Sequence, residues 1–148
     1  MNIDITSAAI ATIIATITST LVALIINKNN NKRELDNKLD SILYLALQYP
    51  YLENKEFTNN WSSKYDLSDE KSLRYEIYAT LVYNYLSRFA EFYKFNIKKI
   101  EKKLAIRDWI RLHGKYWYDP KVPNENIDTY DRPFIKLVDY YLAGGNAK

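Results

Sequence analysis

The sequence has 148 residues and contains no cysteine and only one histidine, His113. Structural zinc sites and other soft-metal sites are built mainly from cysteine and histidine side chains, so this scarcity argues against a metal site of that kind. The absence of cysteine also excludes disulfide bonds and agrees with a domain in the cytoplasm, where thiols stay reduced. We therefore expect no cofactor.

Glycine and proline are also scarce, with three and four residues respectively. Both the glycine-rich phosphate loop and the G-x-S-x-G motif are missing, which argues against a classical enzyme. The sequence shows little of the alternation that is typical of strands, and few residues that would break helices. These features predict an all-α protein.

Charged side chains are missing from residues 8–26, a mostly apolar stretch of nineteen residues. As a helix rising ~1.5 Å per residue it would be ~28 Å long, close to the ~30 Å hydrocarbon core of a bilayer. No later segment repeats this pattern. The sequence therefore predicts a transmembrane helix over residues 8–26. A short extracytoplasmic N-terminus (1–7) precedes it, and a basic polar linker (27–33) and a cytoplasmic α-helical domain (34–148) follow.

A cleaved signal peptide is the main alternative to a membrane anchor. Such peptides carry basic residues before the apolar run and a small-residue cleavage site after it. Here Asp4 is the only charged side chain before the run, and Lys28, Lys32 and Arg33 follow it. Because basic flanks stay in the cytoplasm, this asymmetry predicts a single-pass signal anchor in the cell membrane, with the N-terminus outside and the C-terminal domain cytoplasmic.

Small side chains recur every four positions along the predicted span, and a row of threonines runs beside them. Small residues let two helices approach closely in lipid, so the pattern favours a homo-oligomer that forms within the bilayer. Two alternatives stay open: the residues are tolerated filler, with each threonine bonded to its own helix, or several spans form a hydroxyl-lined pore. The small residues are Ala11, Ala15, Ser19 and Ala23, and the threonines are Thr12, Thr16 and Thr20.

The remaining sequence predicts a bundle of about four helices. Asn31 and Glu34 form a capping-box pattern that would begin the first of them, and Pro50 would end it near Gln48. Residues 49–67 are predicted to be a loop with a helical turn of its own, which aromatic side chains hold against the bundle.

A central helix is predicted from Ser68 to about Tyr93, with an apolar face wide enough for the middle of the bundle. Two apolar stripes that are out of phase predict a break near Ala105 in the next helical segment. The last helix is predicted from residues 128–131 to Gly144, with a proline in its first turn. The predicted apolar face of the central helix comprises Leu73, Ile77, Leu81, Val82, Tyr85, Leu86, Phe89 and Phe92.

Aromatic and polar side chains are most concentrated around His113, between Trp109 and Trp117, and these three residues form the candidate pocket. His113 could act as a general base with Asp108 or Asp119. Its place on an apolar stripe instead favours a core histidine that is bonded to a neighbouring carboxylate or carbonyl group. No catalytic residue is therefore predicted.

Basic residues dominate the segment from Lys94 to Lys115, which carries eight of them against two acids. Five recur every four residues and would share part of one helix face. Near a bilayer such a face would attract anionic headgroups or an acidic partner, and an ordinary solvated face is the alternative. No recognition motif supports a nucleic-acid partner. The five residues are Lys99, Lys103, Arg107, Arg111 and Lys115.

Together these patterns predict a membrane-tethered adaptor or regulatory protein rather than an enzyme. It would associate with itself and present a cytoplasmic helical domain to another protein. An oligomeric, pore-forming effector triggered through that domain is the first alternative, and a small enzyme that uses the His113 region is the second. An anchor followed by a small helical domain is common among small bacterial and phage membrane proteins.

Overall fold

The computed structural model describes the backbone of residues 2–145 and the side chains of residue 9 and residues 12–145. Within these residues the chain is helical and has no strand, which confirms the predicted all-α class. The helices are shorter and more numerous than those of the expected bundle. They are α1 (Asn2–Gln48), α2 (Lys55–Asn60), α3 (Glu70–Phe92), α4 (Ile97–Glu101), α5 (Ile106–Leu112), α6 (Gly114–Tyr118), α7 (Glu125–Thr129) and α8 (Arg132–Leu142), with a 3-10 turn over Pro50–Glu53.

The chain divides into two compact units, residues 1–37 and residues 38–148. The first unit is the N-terminal part of α1, and the second contains the end of α1 and the later helices. By length and composition α1 is able to cross a membrane. None of its most apolar stretch is buried within the protein.

The long helix α1 is continuous through residues 27–33, so the helix start predicted at Asn31 is wrong. That segment contains no proline or glycine, and each backbone N–H can therefore keep its bond to the carbonyl four residues earlier. The helix ends at Gln48 as predicted, because Tyr49 precedes Pro50 and takes a non-helical conformation.

The helix α3 forms the centre of the second unit and begins at a capping residue. The Asp69 side chain accepts hydrogen bonds from the backbone N–H groups of Lys71 and Ser72, which have no partner within the helix. The cap lies one residue after the start predicted at Ser68. The buried face of α3 is rich in tyrosine and comprises Ser72, Tyr75, Tyr78, Ala79, Val82, Tyr83, Tyr85, Leu86, Phe89 and Ala90.

Three of the core residues predicted for α3 are wrong. Leu73, Ile77 and Leu81 keep 40%, 56% and 40% of their surface exposed. They lie about half a turn away from Ala79 and Val82, which are fully buried. The prediction followed the most apolar side chains, but the large tyrosine rings on the other side of the helix fill the core.

Aromatic rings hold the segment between α1 and α3 against α3, as predicted. Phe57 packs edge-on against Tyr51 and Tyr75, with ring centroids 5.0 and 5.6 Å apart. Trp61 is buried 5.5 Å from the Tyr75 ring and donates its Nε1 hydrogen to the Ser72 carbonyl at 3.2 Å. The expected helical turn is present as the 3-10 turn and α2.

The helical segment after α3 is broken twice. Ala105 separates α4 from α5, as predicted, and His113 separates α5 from α6, which was not predicted. At Gly114 an added Cβ would lie 2.8 Å from Leu142 Cδ2, so the absence of a side chain lets α6 begin close to α8.

The last helix, α8, agrees with its prediction. It begins after Asp131 with Pro133 in its first turn, where the missing N–H breaks no helical hydrogen bond. It ends before Gly144, whose φ of +92° is the left-handed conformation that commonly terminates helices. The predicted apolar face is buried at Phe134, Leu137, Val138 and Tyr141.

Candidate functional site

The Glu53 carboxylate is the centre of a hydrogen-bond network that joins separate elements of the second unit. It lies at the end of the 3-10 turn, and 31% of its side chain is exposed. Its Oε1 accepts a hydrogen bond from Trp109 Nε1 of α5 at 2.8 Å. It also accepts one from the Tyr78 hydroxyl of α3. One acidic side chain therefore ties the turn after α1 to both helices.

His113 extends this network from the junction of α5 and α6. The ring is fully buried, with Nε2 3.4 Å from Glu53 Oε1 and Nδ1 3.1 Å from the Tyr75 hydroxyl. Because a carboxylate only accepts hydrogen bonds, the hydrogen shared with Glu53 is carried by Nε2, while Nδ1 shares a hydrogen bond with the Tyr75 hydroxyl. The Tyr83 hydroxyl donates to the His113 carbonyl at 3.2 Å. Both ring nitrogens are thus engaged within the protein.

Burial and hydrogen bonding act on Glu53 in opposite directions. Burial alone would raise the pKa of the Glu53 carboxyl, but the hydrogen bonds from His113 and Tyr78 outweigh it and hold the pKa below its usual value. Burial raises the pKa of Tyr75 and of Tyr78, and the negative charge of Glu53 raises both further. At neutral pH the carboxyl is therefore ionised and both phenols are protonated, which are the states that their hydrogen bonds require.

The carboxylate beside His113 is not one of those predicted. Asp108 and Asp119 form ion pairs with basic residues of their own segments. The partner of His113 is Glu53, sixty residues earlier in the chain. The sequence favoured a core histidine bonded to a neighbouring carboxylate or carbonyl group, but no local pattern singles out Glu53 among the eighteen acidic residues.

The three residues of the candidate pocket, Trp109, His113 and Trp117, have different partners in the structure. Trp109 and His113 belong to the Glu53 network. Trp117 is buried against Tyr83, with the two ring centroids 4.9 Å apart, and the Tyr83 hydroxyl in turn donates to the His113 carbonyl. The break between α5 and α6 separates the two tryptophans, which a continuous helix would have placed on one stripe.

The five basic residues predicted to share a helix face are spread over several elements. Lys99 belongs to α4, Lys103 lies in the turn after it, Arg107 and Arg111 belong to α5, and Lys115 belongs to α6. The breaks at Ala105 and at the α5–α6 junction therefore divide the predicted surface.

The last three of these basic residues have partners within the protein. Arg107 and Lys115 form ion pairs with nearby aspartates, at 2.9 and 3.4 Å. Arg111 donates to the carbonyl oxygens of Tyr141 and Gly145, at 3.0 and 3.2 Å, where a cation stabilises the end of α8. Their positive charge is thus paired within the protein.

An exposed apolar groove lies between the end of α1 and α3 in the second unit. Cavities of about 450 and 370 Å³ follow it, and both are lined by Leu45 and Leu81. Leu73 and Ile77 continue the α3 wall, and Tyr49 continues the opposite wall. The groove thus uses the side of α3 that the sequence predicted to be core, and its walls are suited to an amphipathic helix.

Threonine hydroxyls along the apolar part of α1 bond to their own helix. Those of Thr16 and Thr20 donate to the carbonyls of Thr12 and Thr16, both at 2.8 Å. The predicted packing residues Ala15, Ser19 and Ala23 are exposed, and the side chain of Ala11 lies outside the described residues.

Replacing Glu53 with glutamine should destabilise the second unit by about 1.5–3 kcal/mol at neutral pH, because hydrogen bonds to a charged group are lost. Folding lowers the pKa of Glu53, so the ionised carboxylate stabilises the fold above its unfolded pKa of 4.5. That contribution is lost as the pH falls through the folded pKa. The difference in unfolding free energy between wild type and Glu53→Gln should therefore narrow below pH 4.5.

Urea unfolding of the full chain in a mild detergent, followed by tryptophan fluorescence, measures this difference at each pH. All three tryptophans lie in the second unit, so the signal reports on that unit. Glu56→Gln is the matched control, because Glu56 is exposed and its change should stay within about 0.5 kcal/mol. A difference for Glu53→Gln that does not vary with pH would contradict the role assigned to the carboxylate.

Among the side chains that the structure describes, no three His, Asp or Glu residues are close enough to hold a metal ion together. No protein-family model, curated protein or solved structure matches the chain. Its functional interpretation therefore depends on the Glu53 network, the groove and the apolar helix themselves.

Proposed function

We propose that the protein is a membrane-tethered, self-associating adaptor or regulatory protein with a single membrane span. One observation carries this proposal: large apolar side chains of α1, such as Ile14, Ile17 and Leu21, are more than half exposed. Removing apolar surface from water is worth roughly 25 cal/mol per Å², so a bilayer is a far more favourable environment for this segment.

The charges around the apolar stretch supply the proposed orientation. Lys28, Lys32 and Arg33 follow it and are exposed, whereas residues 1–7 contain no lysine or arginine. By the positive-inside rule, the second unit would lie in the cytoplasm and the N-terminus outside the cell membrane.

An adaptor accounts for the side-chain contacts better than a pore or an enzyme does. The hydroxyls of Thr16 and Thr20 donate to carbonyls of α1, as the tolerated-filler alternative expected, so an anchor accounts for these residues without a hydroxyl-lined pore. Both nitrogens of His113 are engaged by Tyr75 and Glu53, which favours a structural histidine over a general base. The groove, in contrast, is apolar and exposed, as surfaces that bind a helix are.

The occupant proposed for the groove is the same surface of a second copy of the chain. The exposed face of α3 carries Glu70 at one end, Leu73, Ile77 and Leu81 in the middle, and Arg88 at the other end. Two such faces packed antiparallel about a two-fold axis would bring Ile77 opposite Leu81 and Glu70, which pairs with Arg74 of its own helix at 3.8 Å, opposite Arg88. The second unit would then contribute to the homo-oligomer together with the span.

The full chain should stay in the membrane fraction after carbonate extraction, because the apolar helix is integrated in the bilayer. Ile17→Asp with Leu21→Asp should release it, since a charge near the membrane centre costs roughly 2.5–3.5 kcal/mol. Leu67→Asp with Ile127→Asp is the matched control, because it places the same charges on exposed side chains of the second unit. Release of the wild type by carbonate would refute the anchor.

The orientation can be measured by cysteine labelling, because the native chain has no cysteine. In spheroplasts, a Lys64→Cys variant should react with a membrane-impermeant maleimide only after the cells are opened, since Lys64 is an exposed residue of the second unit. Labelling in intact spheroplasts would reverse the proposed topology.

Leu73→Glu with Ile77→Glu should lower the mass of the detergent-solubilised full chain, because the acidic side chains would enter the antiparallel contact. Light scattering measures this mass. Leu67→Glu with Ile127→Glu should keep the wild-type mass, since both side chains are exposed outside the groove.

A third variant, Ala15→Leu with Ser19→Leu, tests the contribution of the span. If this variant alone dissociates the oligomer, the span holds the copies together and the occupant proposed for the groove is wrong. A monomeric wild type would exclude self-association altogether.

A further inference from the structure

Positive charge in the second unit is concentrated in residues 94–103. This segment contains five lysines and one acid, whereas the rest of residues 38–148 has thirteen basic and fourteen acidic residues. The whole net positive charge of the unit therefore comes from the turn after α3, the short helix α4 and the turn that follows it.

The five lysines are exposed, and within the described residues none of their ammonium groups forms an ion pair. The one acid beside them, Glu101, accepts a hydrogen bond from the Tyr141 hydroxyl at 3.1 Å and is directed toward α8. This charge is therefore neither neutralised locally nor used in the fold, in contrast to that of Arg107 and Arg111. The lysines are Lys94, Lys98, Lys99, Lys102 and Lys103.

The backbone holds these lysines at the surface. Ile100 of α4 is fully buried, so this side of the helix faces the core. Lys98 and Lys99 lie on its other sides and are exposed. Lys94 and Phe95 have φ values of 53° and 54°, a left-handed conformation that residues other than glycine seldom adopt. The turn is held by the Phe95 N–H, which bonds the Ala90 carbonyl at 2.8 Å.

Aromatic rings lie next to the lysines in the same turn. Phe92, Tyr93 and Phe95 are half-buried. The Tyr93 ring is 4.9 Å from that of Phe89 and 5.1 Å from that of Phe92, which fixes it to the end of α3. Tyr93 is the amphipathic ring among them, and tyrosine beside lysine is typical of protein surfaces at the level of lipid headgroups.

We propose that this lysine surface, residues 92–103, binds the anionic headgroups of phospholipids. Its ammonium groups would meet headgroup phosphate and carboxylate oxygens, and its rings would lie at the headgroup boundary. The inference rests on the proposed membrane anchor, which keeps the unit near a bilayer and raises the local concentration of lipid around it. It adds a lipid dependence: the second unit is held on anionic membranes and released from neutral ones.

The test uses the full chain in lipid nanodiscs, with a fluorophore attached at an Ala105→Cys substitution next to the lysines. Ala105 is exposed, and the label is unique because the chain has no cysteine. Nitroxide-labelled lipid should quench the fluorophore in discs that contain phosphatidylserine and not in discs of phosphatidylcholine alone. High salt should abolish the quenching, because it screens exposed charges.

Lys98→Gln, Lys102→Gln and Lys103→Gln in one chain should reduce the quenching to the phosphatidylcholine level. The matched control removes three charges elsewhere, by replacing the exposed lysines at positions 55, 64 and 136 with glutamine, and should keep the wild-type signal. Unchanged tryptophan fluorescence would show that both variants are folded.

Equal quenching in the two kinds of disc would overturn the inference. An equal loss of quenching in the triple-lysine variant and in its control would overturn it as well. The inference would also be overturned if phosphatidylserine left the fluorescence of the label unchanged while polyglutamate or single-stranded RNA changed it. That result would identify an acidic protein or a nucleic acid as the partner. Failure of the anchor is distinguishable, because carbonate would then extract the chain. Co-sedimentation of the same chain with phosphatidylserine vesicles, but not phosphatidylcholine vesicles, would still support the lysine surface.

Discussion

Buried tyrosine hydroxyls are the constraint on which the second unit depends. Tyr75, Tyr78 and Tyr83 lie on the buried face of α3, and a hydroxyl that leaves water without a partner costs about 1–3 kcal/mol. Their partners, Glu53 and His113, come from the turn after α1 and from the α5–α6 junction. Within the described residues no buried side-chain nitrogen or oxygen lacks a hydrogen bond. The positions of these two elements therefore follow from the hydroxyls that α3 buries.

A tyrosine-rich core leaves aliphatic side chains on the outside. Leu73, Ile77 and Leu81 are exposed along the groove because the opposite side of α3 is already filled by rings. Hydrogen-bonded groups in a core restrict the fold to one arrangement, whereas aliphatic surface has no directional requirement and suits association between molecules. In the proposed function, the polar network defines the domain and the aliphatic stripe of α3 connects it to a second copy.

Basic residues are divided in a similar way between internal and external roles. Arg111 stabilises the end of α8, and Arg107 pairs with its exposed neighbour Asp108, so both charges have partners within the protein. The lysines of residues 94–103 have no such internal partners among the described residues. The proposed contacts with the bilayer thus come from two separate parts of the chain, the apolar stretch of α1 and the turn after α3.

The sequence by itself determined the features that depend on neighbouring residues. Pro50 ends α1, out-of-phase stripes mark the break at Ala105, and Gly144 ends α8, because each effect acts through backbone geometry within a few residues. Only the tertiary structure decided that Glu53 is the partner of His113 and that one side of α3 buries tyrosine instead of leucine and isoleucine. Those outcomes depend on groups up to sixty residues apart, which come together because they pack well and satisfy each other's hydrogen bonds. The spacing of residues within one segment cannot predict such contacts.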